Sequence, residues 1–416
     1  MKTQIKLGIL SLIGVAIFSC SDDDNNNENG VTKNEVIENY ANIVYTSYKD
    51  SYDAAVAMQT KITAFTANPD QAKFDAAKDA WKAAREFYGQ TEVYRGSNGP
   101  IDFEGADAPA WAISNEGQIN AWPLDEGYID YVKASSAAYA GSFDNSIISG
   151  TQAITKNFLA GANEGGGTNL DEDAAGKAIS TGWHAVEFLL WGQDETLPSE
   201  KLEGQRPYTD YTTADNKDRR ATYLNVVTEL LVDDLKLLVD TWAEGGTYRE
   251  VFMALDQKEA LTNIVSGPHF LAAEELSNER MLASATSDVG IDGSGQEDEH
   301  SCFADYTHQD VYRNAQGVMN VLFGRYEDGA VSGASFYELI KQEDATKAAS
   351  LKAAADKAWA SVKLIDDAYN AGTPYDLLIT QEGENNPGLV LDANQDLLDL
   401  GDVIAEAVGV FEINLY

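Results

Sequence analysis

The sequence predicts an all-α protein: two helical bundles packed side by side. Three observations predict it. From Val31 onward apolar residues recur at spacings of three and four, and alternating β-branched runs are scarce. The chain has 416 residues, enough for two separate cores. Two long irregular stretches, 194–217 and 284–307, interrupt the helical pattern, and the first reads as an interdomain linker. The bundles are accordingly expected over 34–204 and 205–416. Helix counts suggest a duplicated four-helix bundle, although no residue-level repeat is visible.

The elements follow in order. A first helix is expected over about 34–66, broken at Asn68-Pro69-Asp70, with Asp70 capping a second that carries Phe74, Ala77, Trp81, Ala84 and Tyr88 on one face. These two should pair as an antiparallel hairpin. Residues 95–109, rich in Gly, Pro and Asp, read as a loop. Shorter helices are expected over 126–140 and 146–159, and another from Asp171 to Trp191, stopped by Gly192. Long helices follow over 217–242 and 248–281, the second interrupted at Gly267-Pro268. Three or four more close the chain after residue 307.

The first 19 residues carry Lys2, Lys6 and no acid, and the apolar run Leu7–Phe18 is too short to span a bilayer. They read as an export signal. "IFSC" resembles a bacterial lipoprotein processing site, which makes Cys20 the acylated first residue of the mature chain. Residues 20–33, beginning "CSDDDNNNENG", form a flexible acidic tether. An acidic run after the acylated cysteine also resembles the surface-export signal of Bacteroidetes lipoproteins. The expected location is therefore the outer membrane, on its periplasmic side or at the cell surface, with membrane contact through the lipid alone. Cys302 is the other cysteine of the two, so an exported chain has no internal disulfide to rely on.

With 29 Lys and Arg against 68 Asp and Glu, the net charge is −39. Such a field repels nucleic acid and anionic lipid and favours cationic partners such as metal ions.

Chemistry concentrates in three stretches. "TGWHAVEFLLWG" places His184 and Glu187 three apart on one helix face, where they can meet a common ligand. Gly182 costs about 1 kcal/mol relative to Ala inside a helix, so a close neighbour is expected there. The plain alternative is a buried polar pair satisfied at a helix contact. A zincin or an inverted zincin needs a second histidine at position 188, and Phe188 occupies it. "GQEDEHSCFADYTHQD" gathers Glu297, Asp298, Glu299, His300, Cys302, Asp305 and His308, in a chain with four histidines. Glu297 and His300 have Glu-x-x-His spacing, and Asp305 could simply cap the helix near His308. "WKAAREFYGQTEVYRG" sets Arg85 and Glu92 two turns apart on one face.

Together these stretches resemble the imelysin family of exported bacterial proteins. The segment "NERMLASATSDVGIDGSGQEDEHSCFADYTHQD" is the most specific, and the likeness covers essentially all of the chain after the tether. It implies a two-domain helical fold with a pocket between the bundles, built around the Gly-x-His-x-x-Glu helix. Carried onto this chain, it marks Gly182, Arg85, Glu92, Ser301 and Asp305 as pocket residues, and His184, Glu187, Glu299 and His308 as metal ligands. Where relatives often read Ser and Asn, this chain has Ala304 and Tyr306. The resemblance implies binding of iron or a metal-containing ligand in iron uptake, with partner proteins of that system. The alternative it carries is a zinc-dependent peptidase, for which the ligand set of this motif is incomplete.

Overall fold

Thr32 opens the first helix, α1 (Lys33–Ala67). Its hydroxyl accepts from the Glu35 N–H, and Glu35 accepts from the Thr32 N–H at 2.7 Å, a reciprocal cap. Asn68 and Pro69 end α1, and Asp70 caps α2 (Gln71–Gly89), accepting from the Lys73 N–H at 2.9 Å. The expected stripe on α2 is buried: Phe74, Ala77, Trp81, Ala84 and Tyr88. The hairpin forms, and α1 also packs along α8 (Lys217–Trp242). In this computed structural model the described residues are 30–103, 108–132, 146–168, 170, 172–326, 329–383 and 386–415. The expected signal, Cys20 and most of the tether fall outside them. Among the described residues no helix is long and apolar enough to cross a membrane.

The middle of the chain is less helical than its spacing suggests. Short helices cover Glu116–Asn120 (α3), Glu126–Ile129 (α4), Lys156–Ala162 (α5) and Glu172–Lys177 (α6). The helix expected over 146–159 starts only at Lys156, where Thr155 caps it. The one expected from Asp171 to Trp191 divides, because Ala178–Thr181 is not helical and Gly182, at φ +81°, begins a new helix, α7 (Gly182–Trp191). Residues 194–217 are no loose linker. The Gly204 N–H donates to the Phe303 carbonyl at 2.9 Å, the Arg206 N–H to the Trp191 carbonyl at 2.8 Å, and the Arg206 side chain to Asp130 at 2.7 Å.

After α9 (Thr247–Ala254), α10 (Gln257–Phe270) runs straight through Gly267 and Pro268. The expected break is replaced by a change of winding: a π-helix over Leu271–Leu282, followed by α11 (Ala283–Thr286). Next come α12 (Thr307–Phe323), a two-stranded antiparallel ribbon of Arg325–Tyr326 and Val331–Ser332, α13 (Phe336–Glu343), α14 (Ala345–Asn370), α15 (Tyr375–Ile379) and α16 (Leu389–Val408). Among the described residues the regular structure is helical apart from that ribbon and one isolated bridge. Residues Val31–Tyr416 make one compact unit, and one apolar core runs from Val36 to Ile413 with no gap at 204/205.

Candidate functional site

Gly182 fixes where the site helix starts. A Cβ on it would sit 2.3 Å from the Ile119 carbonyl oxygen, so α3 and α7 can approach only because this residue has none. The close neighbour expected from the sequence is real, but Gly182 is the first residue of the helix and not an interior one. One turn on, His184 Nδ1 lies 2.9 Å from Glu187 Oε2, and both side chains are fully buried. Glu187 Oε1 accepts from the Ala304 N–H at 3.0 Å, which ties the helix to the loop before α12. His184 Nε2 has no hydrogen-bond partner. The Trp122 and His300 rings pack against the imidazole, with centroids at 4.9 and 4.6 Å.

His300 repeats the arrangement. Its Nδ1 lies 2.9 Å from Asp310 Oδ2 and 3.2 Å from Arg85 Nη2. Arg85 Nε donates to the other Asp310 oxygen at 2.9 Å, Arg85 Nη1 donates to Asn120, and the Ser301 hydroxyl donates to Asp310. Asn120 in turn donates to Glu92 at 2.9 Å, and Glu92 accepts from Arg280 at 2.8 Å. Arg280 also donates to Glu275, five residues earlier, at 2.8 Å. A π-helix bonds i to i+5, and that winding brings residues five apart onto one face. The unusual helix is thus the element that aims Glu275 and Arg280 together.

Part of this network borders a cavity of about 360 Å³, lined by Arg95, Glu116, Asn120, Trp122, Glu275, Arg280 and His300 among others, with His184 behind Trp122 and His300. His300 Nδ1 faces Asp310 Oδ2, which accepts, and Arg85 Nη2, which donates, so its tautomer decides which of the two contacts is the hydrogen bond. Burial, reinforced by the neighbouring charges of His300 and Arg85, holds His184 well below the ordinary imidazole range. Burial with Arg280 and Arg85 does the same to His300. Burial and Asp310 push Glu187 well up. For Glu92 burial acts upward, but Arg280 and Arg85 outweigh it and hold the carboxyl low. Glu116 is raised by burial to about 7.

Both imidazoles are therefore neutral, and each has a carboxylate on Nδ1. An ionised carboxylate in that position favours the tautomer that leaves Nε2 as a lone-pair donor, the usual support of a metal-ligating histidine. With Glu187 pushed up by burial, that form goes with loss of the Glu187 proton. The donor set is incomplete: among the described residues no three His, Cys, Asp or Glu side chains converge closely enough to hold a metal ion.

Of the residues singled out from sequence, His184, Glu187, Arg85, Glu92, Ser301 and Gly182 come together here. His308 does not join them, since its ring stacks on Tyr369 with centroids 3.5 Å apart, and burial lowers it to about 3. Glu299 and Asp305 turn into a separate buried nest. Residues outside the expected ligand and pocket set complete the site: His300, whose spacing pointed to Glu297, as the second imidazole, with Asp310, Asn120, Trp122 and Arg280. His300 and Asp310 lay inside the dense motif. Nothing local marks Asn120 or Trp122, which arrive from "QINAWPLD" through the fold.

A helical fold closed around a buried Gly-x-His-x-x-Glu helix, with an arginine–carboxylate network and a polar cavity beside it, defines a distinct class of helical protein. The family model for imelysin matches residues 44–399, and the chain belongs to the imelysin family. The crystal structure of a protein assigned as an iron-regulated protein A precursor, from Parabacteroides distasonis, superposes with a TM-score of 0.66 at 17% identity, covering 92% of this chain and 97% of that one. An imelysin-like protein from Psychrobacter arcticum superposes at 0.60 and 14% identity, covering 92% and 96%. Iron-regulated protein A of Synechococcus elongatus is 29% identical over 93 residues, 22% of this chain and 23% of that protein.

Proposed function

We propose that this protein is an iron-handling component of the bacterial cell envelope that binds a metal-bearing ligand in the cavity beside His184 and His300. The observation that carries this reading is the pair of buried imidazoles 4.6 Å apart, each with a carboxyl oxygen 2.9 Å from Nδ1, together with the unpartnered Nε2 of His184. Similarity to iron-regulated protein A supports iron as the metal. Imidazole donors suit ferrous iron or zinc, and the carboxylates of the lining suit harder ions.

Cavity size bears on the form of the ligand. About 360 Å³ is on the order of ten times the share of one water molecule and falls within the range of small-molecule pockets. A liganded or hydrated metal fits that space better than a bare ion. The lining has five carboxylates, Glu116, Glu164, Glu275, Glu279 and Asp298, against the guanidiniums of Arg95 and Arg280, which favours a ligand of net positive charge. In this reading Cys20 carries the lipid that keeps the protein at the outer membrane, and further iron-uptake proteins receive or deliver the cargo.

The test is titration of metal-free full-length protein with iron and zinc, for wild type, His184→Ala and His300→Ala. Each substitution should weaken metal binding about tenfold or more, since each removes a ligand. Unchanged affinity in both would sink the proposal. The zinc-peptidase alternative uses the same imidazoles with a third protein ligand and an open position. Unfolded substrate proteins left intact by the zinc-loaded chain would exclude it.

A further inference from the structure

His184 does not reach the cavity. Its imidazole is fully buried and Nε2 has no partner, while the lining includes Trp122 and His300 and stops short of His184 itself. Both of those rings pack on the imidazole. A ligand in the cavity therefore meets His184 only if one of them moves.

The two rings are held very differently. His300 is buried, and its Nδ1 sits between Asp310 Oδ2 at 2.9 Å and Arg85 Nη2 at 3.2 Å, two groups that are bonded to each other. Moving it would disturb a buried ion pair, which is costly. Trp122 is only half-buried and lies in the irregular stretch between α3 and α4. Among the described residues, Ala121, Trp122 and Leu124 form no hydrogen bond through main chain or side chain. Packing holds the indole, against His184 at 4.9 Å and edge-on to Phe303 at 5.7 Å between ring centroids.

The ends of the stretch are pinned. Asn120 accepts from Arg85 and donates to Glu92, and the Asp125 N–H donates to the Lys177 carbonyl at 2.8 Å. Between these points an indole without polar ties, beside about 360 Å³ of open space, can change rotamer without unwinding either helix.

We infer that Trp122 is a gate. Closed, it seals His184 from the cavity; open, it joins the cavity to His184 Nε2, so that one ligand meets both imidazoles. Opening also relieves a buried nitrogen that is otherwise unpartnered. The purpose of the gate rests on the metal-binding reading above, but its motion is tested without any metal.

Carbethoxylation of histidines by diethyl pyrocarbonate, followed peptide by peptide by mass spectrometry in full-length protein, reads the gate. The reagent attacks the unprotonated ring, and burial holds both His184 and His308 below the ordinary imidazole range, so at neutral pH access sets the rate. His308 is the control, being 1% exposed and stacked on Tyr369. In wild type His184 should react about tenfold or more faster than His308, at a rate that low urea leaves unchanged. A ring swing exposes little surface, whereas global unfolding exposes much. Trp122→Ala should speed His184 by about a further tenfold and leave His308 as it was, with Trp122→Phe in between. Were Trp122→Ala to unfold, His308 would accelerate too, and wild type and Trp122→Phe would decide. Equal rates and equal urea dependence at the two histidines in wild type, or a His184 rate that removing the indole leaves unchanged, would overturn the gate. Iron association separates the two proposals. Its rate in wild type should level off at high iron, because opening becomes limiting, and in Trp122→Ala it should keep rising in proportion. Absence of iron binding in both proteins would sink the metal reading, while the labelling still decides the gate.

Discussion

Glu187 decides which nitrogen of His184 carries the proton. Its Oε1 is committed to the Ala304 N–H, so Oε2 alone faces Nδ1. Glu187→Gln would keep the bond to Ala304 and turn its NH₂ toward Nδ1. The amide then donates, Nδ1 accepts, and the ring proton moves to Nε2, where it blocks a metal. Iron or zinc affinity should fall about 10–100-fold with the fold intact by circular dichroism, the scale typical of a residue that orients a ligand. Unaltered affinity would mean that His184 does not bind through Nε2. This pair was legible in the sequence because three-residue spacing on a helix is local information. His300 was harder to see, because local spacing offered Glu297 as its partner. The structure instead uses Asp310, ten residues on, after a tight turn at Asp305 with φ +49°. A side chain's partner across such a turn is set by the path of the chain, which spacing does not encode.

At the level of elements, strong periodicity was read correctly and special winding was not. The α1–α2 hairpin, its Asp70 cap and its apolar stripe follow from local rules. The π-helix does not, because its residues differ little from ordinary helix formers and its register depends on what it packs against. Gly267 lets α10 pass the Val93 carbonyl, 2.0 Å from where a Cβ would be, and so helps place that register. Gly182 allows a direct test of such a contact. Gly182→Ala must adopt φ +81° and meet the Ile119 carbonyl at 2.3 Å. Left-handed backbone and overpacking together should destabilise the fold by about 2–4 kcal/mol in urea unfolding. A loss below about 0.5 kcal/mol, the scale of a neutral surface change, would show that α3 is free to move away from α7.

Over the whole molecule, buried carboxyls set how stability depends on pH. Burial is the leading cause in each case: Asp102 and Asp234 are raised to about 6, Glu116, Glu126 and Asp194 to about 7, and Glu297 to about 8. In the unfolded chain all six titrate near 4. Between those limits the folded state binds more protons than the unfolded state, so stability must fall as pH rises. Their contribution is complete below about pH 4 and is lost as pH climbs through 6 to 8. Glu92 and Asp130, held low by arginines, act the other way only in acid. His184, His300 and His308, held low by burial, act the other way below about pH 6.5 and so offset part of the fall there, leaving the carboxyls unopposed above it. The protein should therefore be more stable to urea at about pH 6.5 than at about pH 8, by on the order of 1 kcal/mol per pH unit for each group in mid-titration. Salt should recover part of the loss, since ionising these groups adds to a net charge already at −39. Stability that stays level or rises over this interval would mean that the buried carboxyls are ionised and compensated in the folded state.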